Sequence, residues 1–167
     1  MSRDKKFGRD KREKPEYDQK LLDLARVARV VKGGRRFRFR ATLVIGNRKG
    51  KVGVGVGKGA DVSDAIKKAF DDAKKSMITV SMKGNTIIHD IEYKEGAAKI
   101  IMKPAVSGKG VIAGGAIRAV VDLAGIKDIV SKSLGTANKL SVARAAVSAL
   151  AILNDARSRK SRMGTEK

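Results

Sequence analysis

The sequence predicts an α+β protein built from two small two-layer units. Residue periodicity changes along the chain in the order strand, strand, strand, helix and then strand, strand, helix, strand, helix. Hydrophobic residues make up 42% of the chain, yet aromatic ones only 4% and Trp is absent, so the core must be aliphatic and thin. A length of 167 residues admits one ordinary domain or two small ones. The expected division is a polar tail over 1–20, a first unit over 21–80, a second over 81–156 and a basic tail over 157–167.

Residues 1–20 are charged throughout, with Phe7 and Tyr17 as the only aromatics. No apolar stretch there could serve as a secretory signal. The first strand is expected from about Leu22 to Lys32, followed by a turn at Gly33-Gly34. The second has a clear period of two. Phe37, Phe39, Ala41, Leu43 and Ile45 alternate with Arg36, Arg38, Arg40, Thr42 and Val44, which puts the apolar set on one face and the arginines on the other. Gly46 to Gly50 is a basic turn. In the third strand Val52, Val54 and Val56 are expected to face the core, with Gly53, Gly55 and Gly57 on the opposite face. Glycine weakens a strand, so this alternation predicts that something approaches the backbone closely. Asp61 is placed to cap a helix whose apolar stripe is Val62, Ala65, Ile66, Ala69, Phe70, Ala73 and Met77. The first unit is thus a three-stranded antiparallel sheet backed by one helix.

In the second unit Thr86–Tyr93 and Ala97–Pro104 are expected as paired strands joined by Lys94-Glu95-Gly96. A glycine-rich segment, Ser107 to Gly115, leads into a helix with Ile117, Val120, Val121 and Ala124 inward, stopped by Gly125. Lys127–Leu134 is a strand. Asn138 caps a last helix that buries Val142, Ala145, Ala146, Ala149 and Leu153. The result is a mixed sheet packed by two helices.

Charge dominates the functional reading. The chain has 38 Lys plus Arg against 17 Asp plus Glu, a net charge of +21. Eleven of the basic residues fall between Leu24 and Ala60, where no acid occurs. Because these residues sit on segments patterned to fold, the charge forms a surface that needs a polyanion, and inside a cell that is nucleic acid. An anionic membrane would call for a basic amphipathic helix or a lipidation signal, and neither is present; no apolar run is long enough to span a bilayer. Cysteine is absent, which excludes disulfides and thiolate metal sites. The chain reads as cytoplasmic.

Enzyme chemistry finds little to work with. The single histidine, His89, lies in an expected strand and reads as structural. No histidine pair has metal-ligand spacing, and Ser107 between Val106 and Gly108 is not a nucleophile elbow. Gly53 to Gly59 fails the phosphate-loop pattern, because Gly59 follows Lys58 where Ser or Thr is required. Gly55, Gly57 and Ala60 match a loose dinucleotide fingerprint, but no acidic residue follows at the ribose position. Gly108 to Gly115 opens a helix and reads either as an anion site with Lys109 and Arg118 or as close packing of a helix on a sheet. No cofactor is expected.

For nucleic acid, Arg36, Arg38 and Arg40 on one strand face offer bidentate phosphate contacts. Lys32-Gly33-Gly34-Arg35 makes a compact basic tip. Helix-turn-helix and zinc-finger patterns are absent. Phe37 and Phe39 fall on the apolar face and do not make the exposed aromatic pair of an RNA-recognition motif. Backbone recognition of folded RNA remains. Competing readings are a solvated basic face, an RNA chaperone, and a nucleotide-binding enzyme using the Gly55 or Gly108 loop.

Several blocks resemble one family. These are Arg26-Val27, Val31 to Phe37, Gly50 to Gly53, Gly57-Lys58, Gly108 to Val120, and Lys132 to Asn138. In this order, across roughly 20–155, they are similar to the bacterial small-subunit ribosomal protein S5 family. The resemblance implies a first domain like a double-stranded-RNA-binding fold and a second, small α+β domain. It implies a structural role without catalysis: binding 16S rRNA at the head–body junction, supporting assembly, lining the messenger RNA entry path and influencing decoding accuracy. Ribosomal proteins S4 and S8 are the implied neighbours, and Val27 to Gly34 maps beside the spectinomycin site. The RNA-binding residues then expected are Arg26, Arg29, Lys32, Gly33, Gly34, Arg35, Arg36, Arg38, Arg40, Arg48, Lys49, Lys51, Gly53, Gly55, Lys58, Lys109 and Gly110. A protein interface is expected at Gly114, Gly115 and Arg118, on the helix facing S4. The chain departs from the family pattern at Ala25, where Asn is frequent, and at Lys139 and Ser63, where Pro is usual.

Overall fold

Strand β1 (Asp18–Val31) pairs antiparallel with β2 (Gly34–Gly46) along its whole length in the computed structural model, which describes residues 16–163. Strand β3 (Lys51–Gly59) pairs with β2 on the other side, and a two-residue strand, β4 (Ile78–Thr79), completes the order β1-β2-β3-β4. Periodicity predicts three of these strands; the fourth is too short to show one. The hairpin turn is also one residue earlier than expected. Val31 pairs with Gly34, which leaves Lys32-Gly33 as the loop. Gly34 opens β2 at φ +144°, a conformation that L side chains rarely adopt.

Helix α1 (Val62–Lys75) lies over β2 and β3. Ala65, Ala69 and Ala73 are fully buried against Ala41, Leu43 and Ile45. The glycine stripe explains itself here. A Cβ on Gly53, Gly55 or Gly57 would collide with the carbonyls of Ala73, Ala69 or Ala65. The expected close approach is that of the chain's own helix. Asp61 occupies the N-cap position but makes no side-chain cap bond there. Instead, one α1 side chain and the C-cap residue satisfy β3: Asp72 Oδ2 accepts from the Val56 N–H at 2.9 Å, and Ser76 Oγ donates to the Val54 carbonyl at 2.9 Å.

The second unit departs from expectation at several strands, and a short strand, Val111–Ile112, lies within the segment expected as a glycine-rich loop. Thr86–Tyr93 is divided. β5 (Met82–Lys83) and β6 (Thr86–Ile87) form a small hairpin around Gly84 at φ +63°, and β7 (Ile91–Glu95) starts afresh. Asn85, in the β5–β6 turn, docks on the segment just before Ile129, its carbonyl accepting from the N–H groups of Lys127 and Asp128. The same bonds shorten the strand expected from Lys127. Strand β8 (Ala98–Pro104) pairs with β7 and with β10 (Ile129–Ser133), and β9 (Val111–Ile112) joins β10 in parallel, so the sheet is mixed, as expected.

Helices α2 (Gly115–Ala124) and α3 (Lys139–Met163) sit between the two sheets. Val44, Val52 and Val54, on the face of the first sheet away from α1, share one core with Ile100, Met102, Ile117, Val120, Ala146 and Leu150. Val52 and Val54 therefore face a core, as read from sequence, but that core is the second unit's. The backbone of α3 runs through 157–163, where a tail was expected. Residues 1–15 and 164–167 lie outside the described residues. Among the described residues, no helix is long and apolar enough to cross a membrane.

Candidate nucleic-acid interface

Cross-strand register sorts the basic residues by face. Residues paired directly across a ladder point the same way. Arg29 lies opposite Arg36, Val27 opposite Arg38, Ala25 opposite Arg40, and Arg40 opposite Lys58 on β3. Arg29, Arg36, Arg38, Arg40 and Lys58 thus share one face, continuous with Thr42 and Val44, which the second unit covers. Beyond that cover the face is open. Val27, Arg29, Val31, Arg36, Arg38 and Lys58 line a groove of about 470 Å³. Lys32, Gly33, Gly34 and Arg35 are exposed at the tip.

Among the described residues, Arg29, Arg36, Arg38 and Lys58 have no acidic partner within ion-pair distance. Arg40 is the exception. Its guanidinium is 3.9 Å from Asp23, which also takes Lys139 of α3 at 3.2 Å. Sequence reasoning passed over Asp23, although a signal was there: it is the only acid between Lys20 and Asp61. It follows a register shift after Leu21, and Leu22, at the shift, packs into the shared core.

Other expected residues fall elsewhere. Arg26 is on the opposite face, its guanidinium 3.7 Å from the ring centre of Phe37. Arg48 and Lys49 occupy the β2–β3 turn at the far end of the sheet, and Lys51 opens β3 just after it. There the Arg48 and Gly50 N–H groups donate to the Leu123 and Ala124 carbonyls at 2.9 Å each, closing the C-terminus of α2. Arg48 adopts φ +54° to do so, and its side chain pairs with Asp18 at 2.8 Å. Gly53 and Gly55 are buried beneath α1. That placement corrects their assignment to RNA contact and leaves the Gly55 loop no room for a nucleotide.

The glycine-rich loop before α2 carries a second correction. Asp128, 4% exposed, accepts the Gly108 N–H at 3.0 Å and the Gly110 N–H at 2.9 Å. The loop's donors are spent on a carboxylate of the same chain, so Gly110 is not an open anion cradle. Lys109 remains exposed. Gly114, Gly115 and Arg118 are exposed at the start of α2, and the Arg118 guanidinium donates to the Val111 carbonyl at 3.4 Å. Added Cβ atoms at Gly114 and Gly115 would meet open space. His89 is exposed in a bend, not in a strand as expected. No group of three or more metal-ligating side chains occurs among the described residues.

The profile of "Ribosomal protein S5, N-terminal domain" matches residues 17–81, and that of "Ribosomal protein S5, C-terminal domain" matches residues 93–162. The small ribosomal subunit protein uS5 of Campylobacter jejuni strains 81-176, 81116 and RM1221 is 54% identical in each case, over 144 residues covering 86% of this chain and 98% of the relative. With both halves matched in chain order on a two-sheet α+β frame, the chain belongs to the ribosomal protein S5 family.

Proposed function

We propose that this chain, a structural component of the small ribosomal subunit by its family and not an enzyme, binds 16S rRNA through the open face of the β1–β2 hairpin. One observation carries the reading: like charges stand directly opposite one another on that face. Arg29 faces Arg36, and Arg40 faces Lys58. Directly opposed like charges destabilise a sheet. Two such pairs and Arg38 put five cations on the face, four of them without an internal acid, and a phosphate chain relieves that repulsion and releases its own counterions on binding. Four of the five are drawn from Arg, whose planar fork suits bidentate phosphate contact.

The finer placement rests on the family resemblance. The hairpin tip, Val27 to Gly34, lies at the head–body junction beside the spectinomycin site, near the messenger RNA entry path, and influences decoding accuracy. S4 and S8 are the protein neighbours. The exposed start of α2, with Gly114, Gly115 and Arg118, is the surface offered to S4. Lys49, Lys51 and Lys109 add exposed charge away from the hairpin. The protein acts in the cytoplasm, on the ribosome.

Sucrose-gradient sedimentation of cell lysate, with the protein followed by antibody in low and then moderate salt, tests this. Stoichiometric presence in the small-subunit peak through the salt wash is expected. Protein found free, or spread over many RNA species, would favour the RNA-chaperone reading instead.

A further inference from the structure

The hairpin has a second face, which the phosphate site does not use. Four large apolar side chains are conspicuously exposed along it: Leu21 at 43%, Leu24 at 42%, Val30 at 76% and Phe37 at 46%. Register places them together. Leu21 pairs with Leu43, Leu24 with Ala41, Ala28 with Phe37 and Val30 with Arg35, all on the α1 side of the sheet. Helix α1 covers β2 and β3 but stops short of β1, so this strip is left bare.

The charge on the strip selects its occupant. The Arg26 guanidinium sits over Phe37, its central carbon 3.7 Å from the ring centre, and Arg35 belongs to the same face. From Leu24 to Phe39 the strip carries no acid. A protein partner with an apolar centre would be met by unneutralised arginines. A nucleobase satisfies both halves. Its flat face stacks on an aromatic ring or a guanidinium plane, and its phosphate accepts the charge. The strip is also continuous around the strand edges with the arginine face.

We propose that this open face, centred on Phe37 and Arg26, stacks unpaired RNA bases, so that the hairpin is a wedge with phosphates on one side and bases on the other. This rests on the RNA-binding reading above and adds the chemical class of RNA: a junction or single strand with bases splayed out. A continuous duplex presents phosphates but hides its base faces.

Since the chain has no Trp, Phe37→Trp introduces a unique fluorophore. The full-length variant is titrated with an oligouridylate of about twelve nucleotides, within the usual single-strand site size, and with an RNA duplex of the same length. The expected result is quenching of the indole by the oligouridylate and little change with the duplex. Phe37→Ala should weaken oligouridylate binding about five- to thirtyfold and leave duplex affinity unchanged. Phe37→Leu keeps the apolar bulk, so a matching loss there separates stacking from any loosening of the hairpin. Equal effects on both probes, or binding without quenching, would overturn the proposal while leaving phosphate binding intact. Emission that changes with protein concentration alone would assign the face to a second copy. Emission blind to RNA but altered by deleting residues 1–15 would assign it to that segment, and either result overturns base stacking. Failure of both RNAs to bind would bring down the RNA-binding reading itself.

Discussion

At Gly55 the backbone of β3 and the backbone of α1 come so close that no side chain fits between them. A Cβ there would collide with the Ala69 carbonyl and the Ala73 N–H. Both neighbours are main-chain atoms inside a helix, so neither can swing aside as a flexible side chain would. Gly55→Ala must therefore push α1 off the sheet and loosen its hold on Leu43 and Ile45. We expect a loss of about 2–3 kcal/mol, the usual scale of core overpacking, read as a lowered denaturation midpoint with an unchanged slope. Gly115→Ala is the control, since its Cβ would enter open space; it should fall within about 0.5 kcal/mol of the parent. Equal effects from the two substitutions would mean that α1 does not rest on the glycine stripe. Asp128 follows the same logic of internal satisfaction. Its carboxylate binds two loop N–H groups that would otherwise be unpaired in a partly buried setting.

At the scale of one element, the β1–β2 hairpin separates charge from shape. Replacing Arg36, Arg38 and Arg40 together with Gln keeps the strand and its backbone ladder but removes three cations from one face. The plot of log affinity against log salt should flatten by about two to three units, since each phosphate contact contributes about 0.9. An unchanged slope would place the phosphates elsewhere. Much of this element was legible in the sequence, because a period of two assigns faces without any knowledge of partners. What it could not assign was the cover over each face. Phe37 and Phe39 alternate correctly with the arginines, yet Phe37 is half exposed because it lies beyond Phe39, where the pairing with β3 and the cover of α1 both end. Of the β3 valines read as core, Val52 and Val54 are core and Val56 is only half-buried, and the partners of the first two lie far downstream in α2. Gly53 and Gly55 were read as sites of close approach, correctly, and as RNA contacts, incorrectly, because periodicity shows that something approaches without showing what. The Asp128 cradle was illegible for a related reason: the acid and the glycines it serves are separated in sequence and only the loop geometry joins them.

At the scale of the whole molecule, two opposing long-range effects meet in α2. The net charge of +21 repels itself and favours expansion of the free protein. Against it stands a core that does not respect the boundary between the two sheets. Helix α2 buries Ile117, Ala119, Val120, Val121, Leu123 and Ala124, nearly all round its circumference, as a helix placed between two layers must. Val44, Val52 and Val54 of the first sheet complete that same core. The β2–β3 turn then locks onto the C-terminus of α2 through Arg48 and Gly50. If the two units held separate cores, a defect in α2 would melt the second and spare the first. With a shared core, Leu123→Ala should cost about 3 kcal/mol and lower a single calorimetric transition by roughly 6–12 °C. Amide exchange should accelerate in β2 and β3 as much as in β8. Two resolved transitions, with protection in the first sheet untouched, would show that the units unfold independently. Raising salt in the same experiment should increase the transition temperature of the free protein by screening its self-repulsion, while the affinity for RNA falls. The two trends run in opposite directions because one surface supplies both: the cations that strain the protein alone are those that RNA neutralises.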